Sequence, residues 1–430
     1  MLTYARQSAA TLDRPESVLL TNPPRRDVGC RPDQRRFLLV TAPFGPFSKQ
    51  LAEQLRARGA RCTRVIANGG DFGDWGLAHS VVYRGEESGW APWIRRYLQH
   101  ERITDIVVHG DGYPHAAAAV GQARELGLRI HVFEEGYFRP HWITLERDGV
   151  NAASTLPRDP CFYRGKARIA PKTPGEPVGP ITPAGVRRLI AFHLWAYFAQ
   201  PFFPAFKLPY RYSLPQQSLG HIRRFLIQSV TRRRRERELG ALIEVPGPMF
   251  VALLQRPGDA QLTRDPNFAE VSSFIEHVVA SFAAHAPKDA RLVFKAHPLD
   301  HGLERHDRVA GRAAARAGVG GRVFFIDSGH FPTLVRASRG VISVNSTGGL
   351  AALELGCPAI ALGRAIYGLP GLTHQGGLDR FWAAPEGPDQ ALLADYRAVV
   401  MARTQINGDF STARGISMVV PEAARRMLAV

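Results

Sequence analysis

The sequence contains little cysteine, and the four residues it has, Cys30, Cys62, Cys161 and Cys357, are widely scattered. Such spacing suits neither a zinc knuckle nor a disulfide scaffold, so the reducing cytoplasm is the simplest expected compartment. No spacing of histidine, cysteine and acidic residues predicts a metal site, and the chain has neither a P-loop nor a G-x-S-x-G motif. We therefore expect no metal and no other cofactor.

Long hydrophobic runs are also absent. The longest uncharged apolar segment, residues 189–206, is interrupted by His193, Gln200, Pro201 and Pro204, whereas a bilayer-spanning helix needs ~20 mostly apolar residues. The N-terminal residues lack the apolar core of a signal peptide. The sequence thus predicts a cytoplasmic protein without a transmembrane helix.

Acidic residues are few relative to basic residues. Lys and Arg outnumber Asp and Glu by 55 to 38, which gives a formal charge of +17. An excess of this size predicts anionic partners, namely nucleotides, phosphates, acidic glycans or a lipid surface. Charge alone does not choose among them.

Short apolar runs alternate with helical patterns in two series. The first contains FLLVTA, CTRVIA, DIVVHG and RIHVFEEG, and the second contains MFVALLQ, RLVFKAHP, RVFFID, GVISVN and PAIALG. Such alternation is typical of parallel, doubly wound sheets. We predict an α/β protein with two Rossmann-like domains.

This pattern divides the 430 residues into five parts. We expect a mobile leader at 1–34, a first Rossmann-like domain at 35–176, an insert at 177–245, a second Rossmann-like domain at 246–400 and a helical segment at 401–430. The final helix is expected to close the second domain.

The insert is basic and rich in aromatic residues. Residues 177–235 hold ten Lys or Arg and no Asp or Glu, with the apolar stretch LIAFHLWAYFAQPFFPAF near their start and Arg232 to Arg235 at their end. An RNA-binding arm would have this charge, but no nucleic-acid module pattern accompanies it. A solvated helical face is the plainer alternative. We favour contact with a membrane surface, with rings at the headgroups and arginines on anionic phosphates.

Two strand ends in the second domain are suited to an anion. Asn345, Ser346, Thr347 and Gly348 lie between an apolar strand and a helix, where backbone N–H groups, the helix dipole and hydroxyls converge. A plain helix cap would use the same residues. Lys295, His297 and Pro298 end another strand of the same predicted sheet, at the edge where α/β folds bind ligands. A solvated strand end is the alternative for these residues.

Adjacent carboxylates mark the first domain. Glu134 and Glu135 end an apolar strand and precede Gly136 and Arg139. Because successive strand side chains point to opposite faces, only one of the pair is expected to face the cleft. That carboxylate would serve as nucleophile or acid–base group. An ion pair with Arg139 is an equally good interpretation.

Two further carboxylates occupy similar positions. Asp111 follows the preceding strand in HGDGYPHAAAA, and Asp259 follows the first strand of the second domain in LQRPGDAQL. Either could belong to the same site or simply cap the next helix.

Several motifs, read in order from Phe37 to Trp382, resemble the capsular polysaccharide biosynthesis and export proteins of the KpsS/LipB type. They are APFGPFSKQLAEQL, ANGGDFGDW, FEEGYFRPHWITLERDGVN, LQRPGDAQL, FKAHPLD, VNSTGGLAALELGCPAIALG and YGLPGLTHQGGLDRFW. The resemblance implies a retaining β-Kdo transferase that uses CMP-Kdo and places Kdo on a phosphatidylglycerol-type or lysophosphatidylglycerol-type lipid. It further implies that the two Rossmann-like domains face a cleft in a GT-B-like arrangement, and that the protein attaches to the inner-membrane surface and has other capsule proteins, but no nucleic acid, as partners.

The resemblance also assigns roles to residues. Retention of configuration implies a covalent intermediate, for which Glu135 is the first candidate and Glu134 the second, with Asp111, Arg139 and Asp259 completing the catalytic set. The donor-binding candidates are Lys295, His297, Pro298, Asn345, Ser346, Thr347, Gly348, Glu354, His374 and Gln375. Two other functions remain open, namely extension of an existing Kdo chain and non-catalytic binding of a lipid-linked glycan for export.

Overall fold

The computed structural model describes residues 31–169, 175–180, 182–205, 212–259, 262, 267–268 and 270–429. Residues 1–30 of the predicted leader lie outside this set. The strands are β1 (Arg36–Leu39), β2 (Arg61–Ile66), β3 (Ser80–Val82), β4 (Asp105–His109), β5 (Arg129–Glu135), β6 (Trp142–Arg147), β7 (Met249–Leu253), β8 (Arg291–Lys295), β9 (Val323–Ile326), β10 (Gly340–Ser343), β11 (Ala359–Ala361) and β12 (Gln405–Asn407).

The helices surround two sheets. They are α1 (Phe47–Ala57), α2 (Gly69–Trp75), α3 (Glu87–His100), α4 (Pro114–Glu125), α5 (Pro183–Phe198), α6 (Leu214–Glu244), α7 (Val271–His285), α8 (His306–Arg316), α9 (Phe331–Arg336), α10 (Thr347–Glu354), α11 (Leu378–Phe381), α12 (Gln390–Thr404) and α13 (Ala413–Leu428). Short 3-10 turns lie between some of them.

The second domain is built on a parallel sheet with the order β11-β10-β7-β8-β9. Its strands β7 and β8 are buried along their whole length because helices cover both faces. The chain turns back across the sheet between β7 and β10. In open α/β sheets this reversal opens a crevice at the carboxyl ends of the two strands, where ligands bind.

The first domain repeats that order in its parallel part, β5-β4-β1-β2-β3, so its reversal lies between β1 and β4. The Thr41 hydroxyl accepts from the His109 backbone N–H at 2.9 Å and joins the two strand ends. The predicted fold class, two Rossmann-like halves, is therefore confirmed.

Two strands extend the first sheet beyond the prediction. β6 runs antiparallel to β5, and β12 runs antiparallel to β6. The sequence pattern missed β6 because it follows β5 after a turn with no helix between them, and it missed β12 because that strand has three residues and pairs with a segment more than 250 residues away. They matter for function, since they cover the edge of the strand that carries Glu134 and Glu135.

The prediction that the final helix closes the second domain is wrong. Helix α13 packs against α1 of the first domain, where Ile416, Val419 and Met427 share a core with Phe37 and Leu51. Its last turn also receives a hydrogen bond from the buried Arg35 guanidinium to the Met427 carbonyl. An amphipathic helix pattern shows that a face will be buried but not against which sheet.

The insert contains two helices that attach to different domains. Helix α5 packs on α2 of the first domain, where Gly69, Gly70 and Gly73 admit Trp195 and Phe192. Helix α6 lies on the second domain. Among the described helices, none combines the length and apolar character needed to cross a bilayer.

Candidate active site in the interdomain cleft

A hydrogen bond connects the two sides of the second domain's crevice, between residues that follow β7 and β10. The Gln255 side-chain amide donates to the Asn345 side-chain oxygen at 2.9 Å. The other polar atom of Gln255, its Oε1, is buried and has no partner among the described residues. A buried acceptor at a ligand-binding edge is suited to a hydroxyl or amino group of a bound molecule.

The turn after β10 presents backbone N–H groups at the start of α10. Ser346 caps the helix by accepting from the Gly348 N–H at 3.2 Å, and Tyr367 fixes the turn by donating to the Ser346 carbonyl at 2.6 Å. A Cβ at Gly348 would lie 2.7 Å from Leu253. The glycine thus lets the helix start approach the end of β7, as an anion site of this kind requires.

Lys295 and His297 lie at the end of β8, beside β7. Burial lowers the pKa of Lys295 to about 8, and its ammonium donates to the Ala296 carbonyl at 3.0 Å. Burial and the neighbouring Arg139 and Arg256 lower the pKa of His297 to about 4. Its Nδ1 accepts from the Leu299 N–H at 3.0 Å, which leaves the proton on Nε2. His297 is therefore a neutral hydrogen-bond donor at physiological pH.

Arg224 of α6 fixes the loop that contains His297 and Pro298. Its guanidinium donates to the carbonyls of these residues at 3.1 and 3.3 Å, and to the Asp327 carbonyl at 2.8 Å. The sequence predicts that the arginines of the insert face a membrane surface. This one is instead part of the framework of the second domain.

Glu134 and Glu135 have opposite surroundings, as strand alternation predicts. A Cβ placed on Gly110 would lie 3.5 Å from the Glu134 carboxyl, which also experiences the charges of Asp111 and Asp259. Burial and these neighbouring carboxylates raise the pKa of Glu134 to about 7. Glu134 therefore faces the cleft, since Asp259 belongs to the second domain.

Glu135 lies on the other face of the strand. Burial raises its pKa, while Arg139 lowers it and Asp409 raises it further. Thr144 holds the Glu135 carbonyl through a 3.0 Å hydrogen bond. The structure thus brings Glu134, Asp111 and Asp259 together and places Glu135 outside this group.

Arg139 faces the second domain across the cleft. It donates to the Gly136 carbonyl at 3.4 Å, and its positive charge lowers the pKa of His297. The two walls are therefore in electrostatic contact: carboxylates and one arginine on the first domain face a histidine and Asp259 on the second.

Three predicted donor-binding residues lie apart from this group. Glu354 ends α10 and pairs with Arg397 at 2.9 Å. The backbone N–H of His374 donates to the Ala359 carbonyl, and the His374 ring packs on Phe381 at the amino end of the sheet, opposite the crevice. Gln375 folds back on Thr373. Their assignment remains a prediction from the family resemblance.

The residues that support the carboxylates are not predicted by any motif in the sequence. Glu146, Tyr137 and Gln405 are buried around the strand pair β5–β6. The Tyr137 N–H donates to Gln405 at 3.0 Å, which connects the turn after Glu135 to the C-terminal strand. The one available signal was the acidic residue in ITLERDGVN, because a carboxylate inside an apolar strand rarely lacks a buried partner.

A separate cavity of about 900 Å³ lies between α6 and the ends of β8 and β9. Its charged lining is largely self-paired: Arg234 contacts Glu238, Arg235 contacts Asp327, and His306 contacts Glu304. The cavity therefore has no net preference for an anion. Among the described residues, no group of three or more His, Cys, Asp or Glu could hold a metal ion.

Comparison with known proteins shows the same pattern as the motifs. The family model of capsule polysaccharide biosynthesis proteins matches residues 104–411. The chain is 31% identical to the capsule polysaccharide export protein KpsS of Escherichia coli over 374 residues, which are 87% of this chain and 96% of KpsS. It is 33% identical over 386 residues to the capsule polysaccharide modification protein LipB of Neisseria meningitidis, covering 87% of this chain and 91% of LipB.

Solved structures with a similar chain path include one described as Thermosulfurimonas dismutans KpsC, beta Kdo 2,7 transferase. The identity is 11% and the TM-score 0.42, over 91% of this chain and all of that one. Since the family model covers more than half of the chain and two curated relatives exceed 30% identity over most of their length, this chain belongs to the capsule polysaccharide biosynthesis protein family.

Proposed function

We propose that the protein is a retaining glycosyltransferase that transfers β-Kdo from CMP-Kdo to a phosphatidylglycerol-type or lysophosphatidylglycerol-type lipid, beginning the linker of an exported capsule. The observation that carries this proposal is the cleft itself. Its second-domain wall carries the capped start of α10 with Lys295 and His297, which are suited to a phosphate, and its first-domain wall carries a cluster of carboxylates. Family membership supports the capsule context, and the KpsS/LipB resemblance supplies the sugar.

The donor binds the second domain in this proposal. The CMP phosphate lies at the start of α10, where the N–H groups after Ser346 are directed. It accepts hydrogen bonds from the Nε2–H of His297 and from the ammonium of Lys295. Gln255 offers its unpaired oxygen to the nucleoside. These groups stabilise the negative charge that CMP gains as it leaves.

The carboxylates divide into different roles. Glu134, with a pKa raised to about 7, suits acid–base work because it exchanges a proton near neutral pH. Asp111 is buried and accepts the Val150 N–H, so it is poorly placed to attack a sugar. Asp259 is only partly buried and follows β7 beside the donor crevice. We therefore assign Asp259 as the nucleophile.

The reaction then proceeds in two displacements. A carboxylate oxygen of Asp259 forms a bond to the anomeric carbon of Kdo, and the bond from that carbon to the phosphate breaks as CMP leaves with the electron pair. The acceptor hydroxyl next attacks the same carbon, Glu134 takes its proton, and the ester bond breaks to restore the carboxylate. Two inversions retain the configuration.

The test uses purified full-length protein with CMP-Kdo. In a reaction without acceptor, peptide mapping should find one Kdo on the peptide containing Asp259, and addition of the lipid should release a Kdo-lipid product detected by mass spectrometry. An adduct on the peptide that contains Glu134 and Glu135 would contradict the assignment of Asp259 and would support Glu135, the first candidate from the sequence, as the nucleophile. Inverted stereochemistry in the product would refute double displacement.

The acceptor has two alternatives that the same assay separates. A product formed only on a Kdo-terminated glycan would indicate chain extension. Absence of CMP release with any acceptor would indicate a non-catalytic protein that binds lipid-linked glycan.

The exposed surface of the insert supports attachment to the membrane. Helix α6 exposes Leu219, Ile222, Phe225, Leu226 and Val230, which recur along one side of its amino-terminal half. Helix α5 exposes a second apolar group: Val186, Leu189, Ile190, Leu194, Tyr197 and Phe198. Patches of this extent mark interaction surfaces. With a neighbouring segment free of acidic residues, the partner we infer is an anionic lipid surface.

A further inference from the structure

Glu146 is a buried carboxylate to which neither the motifs nor the proposed chemistry assigns a role. It lies on β6 two residues from Thr144, which pairs directly with Glu134 on β5. In an antiparallel pair, opposed residues share a face and so do alternate residues along a strand. Glu146, Thr144 and Glu134 therefore lie on one face of the sheet, and Glu135 lies on the other.

Both carboxylate oxygens of Glu146 accept short hydrogen bonds. The Tyr137 hydroxyl donates to Oε1 and the Ser154 hydroxyl donates to Oε2, each at 2.5 Å. Tyr137, Glu146 and Ser154 are all more than nine-tenths buried. A satisfied network of this kind holds its members in one arrangement, because each lost bond would leave a buried polar group unpaired.

The network continues to Asp111. The Tyr137 oxygen that donates to Glu146 accepts from the Asn151 N–H at 2.8 Å, and the N–H of the preceding Val150 donates to the Asp111 carboxylate at 3.3 Å. Asn151 has a φ of +53°, a conformation that non-glycine residues rarely adopt without support. Glu146 and Tyr137 thus fix the turn at residues 150–154 that binds Asp111.

Asp111 in turn acts on both glutamates. Its negative charge is among the causes that raise the pKa of Glu134 and that of Glu146, each to about 7. The other charged groups that raise the pKa of Glu134 are Glu135 and Asp259. The charge of Arg158 opposes the rise in the pKa of Glu146.

We propose that Glu146 is a positioning residue that holds Asp111 beside Glu134 through Tyr137 and the 150–154 turn. This inference rests on the proposed function and adds to it the device that keeps Glu134 partly protonated at neutral pH. Loosening the turn frees Asp111 to move away from Glu134, which reduces the negative potential at Glu134.

The experiment compares pH–rate profiles of full-length wild type and Glu146→Gln. The rising limb of kcat that reports ionisation of Glu134 should shift to lower pH by at least half a unit, because Glu134 ionises more readily once Asp111 is no longer held beside it, and KM for CMP-Kdo should be unchanged. A double-mutant cycle with Asp111→Asn tests the route: in the Asp111→Asn background, Glu146→Gln should add little. Glu422→Gln, on the surface of α13, controls for loss of a carboxylate and should leave the profile unchanged.

A second measurement does not depend on activity. Amide hydrogen exchange at residues 148–156 should be faster in Glu146→Gln and in Tyr137→Phe than in wild type. An unmoved pH limb, additive effects in the cycle or unchanged exchange in this turn would each overturn the inference. An inactive wild type would refute the proposed function instead, and the exchange measurement would still decide whether Glu146 holds the turn.

Discussion

Glu134 and Glu135 show how one strand gives two neighbouring carboxyls different chemistry. The pleat directs Glu134 toward Asp111 and Asp259, and directs Glu135 toward Arg139 and Asp409. Burial favours the protonated form of both; like charges add to this effect at Glu134, whereas Arg139 opposes it at Glu135. The environment therefore makes Glu134 the better proton acceptor near neutral pH.

The ionisation of Glu134 predicts a rising pH–rate limb. The pKa of Glu134 is raised to about 7, so its ionised form, which removes the proton from the lipid hydroxyl, is scarce below pH 7 and predominates above it. We therefore expect kcat to rise through pH 7 and then level off. Glu134→Gln should remove the limb and lower kcat by about 10²- to 10⁴-fold. If Glu135→Gln abolishes activity while Glu134→Gln keeps the limb, the roles are reversed.

The proposed phosphate site predicts a loss of CMP affinity. The double variant Ser346→Ala with His297→Ala removes the helix cap and the Nε2–H donor, and CMP affinity measured by calorimetry should fall at least about tenfold, since hydrogen bonds to charged groups each contribute roughly 1.5–3 kcal/mol. Ser281→Ala is the control, because its hydroxyl contacts Asp379 and Trp382 in the same domain. Unchanged affinity in the double variant would place the nucleotide elsewhere.

At the scale of elements, the insert depends on close contact between helices. A Cβ on Gly69 would lie 2.2 Å from the Trp195 carbonyl, and one on Gly70 would lie 2.4 Å from Phe192. Glycine at these positions is what lets α5 lie directly on α2. Since the same helix carries much of the exposed apolar surface, its attachment sets where that surface sits.

Gly69→Ala should therefore destabilise the attachment of α5. The overlap is with backbone, which cannot rotate aside, so we expect a cost of about 1–3 kcal/mol and a lower unfolding temperature. Gly121→Ala is the matched control. That residue lies inside α4 with no atom within 4 Å of its added Cβ, so the substitution should stabilise by roughly 0.5–1 kcal/mol. Equal unfolding temperatures for the two variants would contradict the packing.

At the scale of the whole molecule, the chain ties its two domains together at several places. The insert gives α5 to the first domain and α6 to the second, and the C-terminal segment returns from α12 to complete the first sheet with β12 and to cover it with α13. The walls of the cleft are thus each built from distant parts of the chain.

The exposed apolar side of α6 predicts binding to anionic vesicles. Replacing Ile222, Phe225 and Val230 with serine should reduce flotation with phosphatidylglycerol-containing liposomes and leave CMP binding intact, because these side chains point away from the domain. Leu77→Ser is the control, because Leu77 is an exposed apolar residue outside α6. Neutralising Arg235 would be ambiguous, since it pairs with Asp327. Undiminished flotation would assign the surface to another partner.

Much of the fold was predictable from local pattern. Parallel strands buried on both faces appear as short apolar runs, and the residues after them lie at the carboxyl edge of the sheet. Ser346, His297, Glu134 and Asp259 could therefore be named as site candidates. Residues such as Glu146 and Gln405 could not, because their role is to contact other side chains that are distant in the chain.

The sequence by itself determined the two α/β halves, the positions of their strand ends and the basic insert, because periodicity and composition are local properties of the chain. Only the tertiary structure decided which of two adjacent glutamates faces the cleft, since that depends on the pairing of β5 with β6 and on the side of the sheet that the second domain faces. It also decided that α13 covers the first domain rather than the second. An apolar helix face can be buried against either sheet, and the choice belongs to long-range packing.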